Sequence, residues 1–88
     1  MASYSIRFKP SAEKDLRKLP KAMIPRVIEE IENLRSNPFP RLAVKLESVE
    51  RLYRVRVGDF RIVYSVETEP KEVVILNIRN RREVYRNL

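Results

Sequence analysis

The side chains of this 88-residue chain that could do chemistry are its arginines and tyrosines. It contains no histidine and no cysteine. A His-based triad, a Cys nucleophile, a thiolate zinc site and a disulfide framework are therefore excluded. Arg54, Arg56 and Arg61 alternate with apolar residues on either side of Gly58-Asp59. Arg79 ends a later apolar run, and Arg81, Arg82, Tyr85 and Arg86 follow it closely. A guanidinium is a planar fork of donors that stays charged, which suits a phosphate. A tyrosine set among arginines could stack on an unpaired base or exchange a proton; the plainer alternative is a ring folded against a sheet edge.

Spacing predicts how these arginines meet. Gly58-Asp59 between two alternating runs reads as a two-residue hairpin turn with glycine first. Val57 then faces Phe60, Arg56 faces Arg61, Val55 faces Ile62 and Arg54 faces Val63. Residues paired across a ladder share a face. Tyr53, Val55, Val57, Phe60, Ile62 and Tyr64 make the core side, and Arg54, Arg56 and Arg61 the other.

Two registers compete for the next strand. Pairing Glu67 with Glu72 places Arg79 among core residues. Pairing Glu67 with Val73 puts Ile78 opposite Ile62, Leu76 opposite Tyr64 and Arg79 opposite Arg61. A one-residue slip exchanges the two faces, so the second register is expected, with four arginines converging. Like charges opposite one another cost roughly 0.2–1 kcal/mol each, so an anion-binding face is favoured over a merely solvated one.

The positioning elements follow from periodicity. Residues 4–8 alternate as a strand. A helix runs from Pro10 or Ser11 through Leu19, with Ala12, Leu16 and Leu19 on one face, and Pro20 ends it. A second helix carries Ile24, Val27, Ile28, Ile31 and Leu34 and stops before Asn37-Pro38; it either starts or kinks at Pro25. Strands are expected at Leu52–Val57, Phe60–Val66 and Val73–Arg79, with a minor one near Val44–Leu46. The fold class is α+β: an N-terminal strand and a two-helix hairpin packed on one face of a small antiparallel β-sheet, as one domain over residues 1–88.

Lys and Arg number 19 against 12 Asp and Glu, a formal charge of +7. Such a balance suits RNA, DNA, a ribosome, an acidic protein or an acidic lipid surface. A heat-adapted solvated surface would give part of it, since 35% of the chain is charged. The longest unbroken apolar run is Val73 to Leu76, so no membrane span and no secretory signal are read, and a cytoplasmic location is expected.

Together the residues resemble a known family. The run Leu52-Tyr53-Arg54-Val55-Arg56-Val57-Gly58-Asp59-Phe60-Arg61-Ile62-Val63-Tyr64 is similar to the signature of RelE-type toxins of toxin–antitoxin modules. Arg79-Asn80-Arg81-Arg82-Glu83-Val84-Tyr85-Arg86 resembles that family's closing motif, and Ser11 to Leu16 with Lys18-Leu19-Pro20 its first helix. The resemblance covers nearly the whole chain. It implies a RelE-like fold and a ribosome-dependent mRNA endonuclease that inhibits translation. The chemistry would be metal-independent attack of a ribose 2′-OH on the adjacent phosphate, with no cofactor. By motif position Arg54, Arg56, Arg61, Arg79 and Tyr85 would surround the scissile phosphate, and Arg81, Arg82 and Arg86 would hold RNA. Partners implied are the ribosome, mRNA and an acidic cognate antitoxin resembling RelB.

This sequence departs from the pattern in places. Asn80 stands where many relatives carry His, and Arg54 and Arg56 where some carry Lys. Asparagine cannot shuttle protons, and arginine is a poor proton carrier, so Tyr85 is the candidate base. Glu47 and Glu50 read as surface charges. The alternatives are a ParE-like toxin acting on DNA gyrase and a non-catalytic RNA-binding homologue.

Overall fold

The computed structural model describes residues 3–40, 43–45 and 52–80. Its elements are β1 (Ser5–Phe8), α1 (Pro10–Lys18), α2 (Ile24–Asn33), β2 (Val44–Lys45), β3 (Leu52–Val57), β4 (Phe60–Thr68) and β5 (Lys71–Asn80). The strands form one sheet in the order β1-β5-β4-β3-β2. β2 to β5 pair antiparallel, and β1 joins the far side of β5 in parallel, so the sheet is mixed. No helix among the described residues is long and apolar enough to cross a membrane.

Helix boundaries follow from proline and charge. Pro10 opens α1, where its missing N–H leaves no bond unmade. Glu13 lies in the first turn and Arg17 and Lys18 in the last, each complementing the helix dipole. Leu19 is already extended, as a residue before proline prefers. Pro25 sits in the first turn of α2, so the helix starts there and does not kink.

Both helices cover one face of the sheet. Ala12, Leu19, Val27, Ile31 and Leu34 pack there with Val55, Val57, Ile62, Tyr64, Val66, Val73, Ile75 and Ile78. Ile28, expected in the apolar stripe, is 36% exposed at its margin. Tyr64 is the largest fully buried side chain. Its hydroxyl donates to the Pro38 carbonyl at 2.9 Å, and its ring stacks on Tyr53, whose other neighbour is Phe39. The segment after α2 is thereby pinned to the sheet.

The β4–β5 ladder uses both of the registers that the sequence set in competition. Phe60 to Val63 pair with Asn80 to Asn77, which puts Arg79 opposite Arg61 and Ile78 opposite Ile62. Beyond Val63 the register shifts by one, so Tyr64 faces Ile75, not Leu76, and Glu67 faces Glu72. The cause lies in β5 itself. Val73, Ile75 and Ile78 all belong to the core, and the last two are three residues apart. Strict alternation cannot bury both, so Leu76 is accommodated as a bulge.

Candidate functional site

The hairpin that carries the arginines turns at Gly58, whose φ of +59° is a conformation other residues adopt only with strain. A side chain there would also meet Met23 Cε at 3.2 Å, because the hairpin tip lies against the start of α2. The turn fixes the register: Val57↔Phe60, Arg56↔Arg61, Val55↔Ile62 and Arg54↔Val63. A two-residue turn closes on a hydrogen-bonded pair, so Arg56 and Arg61 occupy the next, closer kind of pair.

Arg56, Arg61 and Arg79 therefore form a row across three adjacent strands on the face away from the helices. Strand spacing gives the row a breadth of roughly 10 Å. Arg54 lies two residues along β3 on the same face, paired with Val63 and, through it, with Asn77. A cleft of about 190 Å³ opens beside Arg54, Arg56 and Arg61, with Val44, the partner of Arg54 across the ladder, contributing an apolar wall. That is smaller than a typical small-molecule pocket and suits a phosphodiester group better than a whole nucleoside.

The arginines are not equivalent. Arg56 is exposed and donates Nε to the Gly58 carbonyl at 3.1 Å, which ties it to its own turn. Among the described residues neither Arg54 nor Arg56 pairs with a carboxylate; Asp59, next in the turn, is exposed. Arg79 does pair: its Nε lies 3.7 Å from Asp15 Oδ2 of α1. Three guanidinium groups in line, the last of them beside Asp15, concentrate positive charge on this face, which attracts an anion.

Asp15 is a site neighbour that the sequence reading missed, and it belongs to a larger device. β1 ends at Phe8 and covers β5 only as far as Ile75. Past that point α1 takes over the open edge. The Lys9 N–H donates to the Ile75 carbonyl at 2.9 Å, Ser11 Oγ to the Leu76 carbonyl at 2.8 Å, and the Ile78 N–H to Asp15 Oδ2 at 3.1 Å. Ser11 and Asp15 are one helical turn apart and flank the apolar stripe of Ala12, Leu16 and Leu19. That spacing was the one available signal.

Tyr64 is the titratable group with a large shift: burial, with Tyr53 and Glu30 adding to it, pushes its phenol well above the usual tyrosine range. It stays protonated and hydrogen-bonded, which fits a structural role and not proton transfer. Tyr85, Arg81, Arg82 and Arg86, and also Glu47 and Glu50, lie outside the described residues. No group of three His, Cys, Asp or Glu that could hold a metal ion occurs among the described residues.

Comparison with known proteins gives this geometry a family. Residues 6–85 match the family model described as the ParE toxin of the type II toxin–antitoxin system parDE. Toxin RelE of Mycobacterium tuberculosis is 32% identical over 85 residues, covering 94% of this chain and 87% of that protein. Toxin RelG of the same organism is 30% identical over 84 residues, covering 94% and 97%. Among solved structures, the archaeal RelE–RelB complex from Pyrococcus horikoshii aligns at 36% identity with a TM-score of 0.79, over 89% of this chain and 94% of that one. With a family match over most of its length and RelE-named relatives on both counts, the chain belongs to the RelE/ParE superfamily of toxins from type II toxin–antitoxin systems and is a RelE-type member of it.

Proposed function

We propose that the protein is the toxin of a type II toxin–antitoxin pair and acts as a ribosome-dependent mRNA endonuclease. The observation that carries this reading is the Arg56–Arg61–Arg79 row with Arg54 beside it, on the sheet face that the helices leave uncovered. A row of like charges is unfavourable for folding alone. It is useful where a multiply anionic group must be gripped and its extra charge stabilised at the transition state.

The reaction is transfer within the RNA. A ribose 2′-OH gives up its proton to a base, and its oxygen bonds to the neighbouring phosphorus. The bond from phosphorus to the 5′ oxygen breaks, and that oxygen takes a proton. The products are a 2′,3′-cyclic phosphate and a 5′-hydroxyl. Arg54, Arg56, Arg61 and Arg79 bind the phosphate and stabilise the charge that builds on its oxygens. Tyr85 serves as the base. Arg81, Arg82 and Arg86 hold the flanking RNA backbone. An acidic antitoxin of the RelB type would neutralise the same charge; similar chains were solved in toxin–antitoxin complexes, RelE–RelB from Pyrococcus horikoshii and RelBE2 from M. tuberculosis.

The test is to add purified protein to ribosomes stalled on a defined message and map the RNA ends. Cleavage at the decoding site, lost in Arg61→Ala, is expected. Intact message in the presence of folded wild-type protein overturns the reading. The ParE description of the matching family model favours inhibition of DNA gyrase as the second reading, and a supercoiling assay separates the two.

A further inference from the structure

Arg79 is held from outside the sheet, by a carboxylate of α1. Its side chain is 44% exposed, whereas that of Asp15 is 20% exposed and already committed at Oδ2 to the Ile78 N–H. Ile78 is the residue just before Arg79 in β5. The carboxylate therefore grips the backbone next to Arg79 and the guanidinium of Arg79 together. The start of α1 is itself tied to the same edge: Ser11, one turn before Asp15, is bound to the Leu76 carbonyl at 2.8 Å and Lys9 to the Ile75 carbonyl at 2.9 Å.

An acid here is costly to anion binding. It subtracts one charge from a strip whose attraction for phosphate depends on charge. A carboxylate that served only to satisfy the Ile78 N–H could be replaced by an amide or hydroxyl with no such loss. What the carboxylate adds is a bias: an ion pair at 3.7 Å favours the rotamers that keep Nε beside Oδ2, which leaves the two terminal nitrogens as a fork for another anion. An unpaired surface arginine samples many rotamers and pays to be ordered each time it binds.

We infer that Asp15 is the positioning residue for Arg79, orienting its guanidinium for the phosphate at the expense of some affinity. This deepens the proposed function and rests on it. The reasoning gives an unusual signature: removing the charge of Asp15 tightens RNA binding while slowing turnover. Misplacing a catalytic group by an ångström can cost on the order of 100-fold in rate.

Asp15→Asn keeps an oxygen for the Ile78 N–H and removes the ion pair. Four proteins suffice: wild type, Asp15→Asn, Arg79→Ala and the double variant. Thermal melts check the fold. Cleavage of ribosome-bound message should give a kcat for Asp15→Asn at least about tenfold below wild type, with KM equal or lower. In the Arg79→Ala background the same change should have no further effect on kcat. Equal kcat for Asp15→Asn and wild type, or an equal drop in both backgrounds, overturns the assignment.

A second measurement does not depend on activity. The Arg79 Nε–H signal in nitrogen relaxation should report an ordered side chain in wild type and a mobile one in Asp15→Asn. Equal order in both overturns the assignment. If Arg61→Ala cleaves as wild type does, or wild type does not cleave, the endonuclease reading fails by itself, and the relaxation data still decide whether Asp15 holds Arg79.

Discussion

Arg56→Ala separates the two demands placed on the arginine row. Arg56 is exposed, faces Arg61 directly, and donates Nε to the Gly58 carbonyl at 3.1 Å. Losing the side chain relieves a like-charge pair, worth roughly 0.2–1 kcal/mol. It also gives up one hydrogen bond, worth about 0.5–1.5 kcal/mol net. The two offset, so unfolding free energy should move by less than about 1 kcal/mol. Binding should respond far more. A charge-assisted bond to a phosphate oxygen contributes about 1.5–3 kcal/mol, or about 10- to 150-fold in Kd. Each phosphate contact on a single strand also adds about 0.7 to the salt slope, so raising salt from 50 to 200 mM should weaken the variant about 2.6-fold less than wild type. Fluorescence anisotropy with a labelled single-stranded RNA across that salt range, beside urea unfolding of both proteins, measures each quantity. An unchanged salt slope would refute the phosphate assignment. A stability loss above about 3 kcal/mol would show the side chain to be structural.

Two further substitutions test the scaffold that presents the row. Tyr64→Phe leaves the Pro38 carbonyl without its buried donor and should cost about 1–3 kcal/mol in denaturant titration. Because folded Tyr64 resists ionisation while the unfolded phenol ionises near its ordinary value of about 10, wild-type stability should fall as pH rises above about 10. The Phe variant should lack that component, and identical alkaline profiles would contradict it. Gly58→Ala forces a β-carbon into a positive-φ turn and toward Met23, so its melting curve should reveal a loss of about 1–2 kcal/mol. An equally stable alanine variant would show that the turn can relax.

The hairpin was legible because its two periodicities and its turn residue agree. Alternation places Tyr53, Val55 and Val57 on one side, Gly58 fixes where the chain reverses, and the register Arg56↔Arg61 follows from them. β5 was only half legible. Its core residues change phase between Ile75 and Ile78, and a single-register reading must mis-pair one end. The signal was present in the apolar spacing, but it meant a bulge and not a choice of register. Asp15 was hidden for a different reason. Its partners are a backbone N–H and a side chain in β5, and the one mark local to α1, its spacing of one turn from Ser11, does not say what the acid bonds to. Ile28 shows the limit of a helical stripe: a residue at its margin stays partly in water when one layer of sheet lies beneath the helix.

The parallel pairing of β1 with β5 also governs when the molecule comes into being. β1 is synthesised before every other strand of the sheet, and among the described residues its one neighbour there is β5, made after the others. Both helices and three strands must leave the ribosome before β1 has anything to bond to. Such distant pairings form late, because the loop between them must be closed first. The event that gives β1 its neighbour also delivers Arg79 to Arg61 and the edge that Ser11 and Asp15 clasp. A nascent chain short of β5 thus lacks the fold and the full arginine row together. The edge strand and the third arginine of the row depend on one and the same segment of chain.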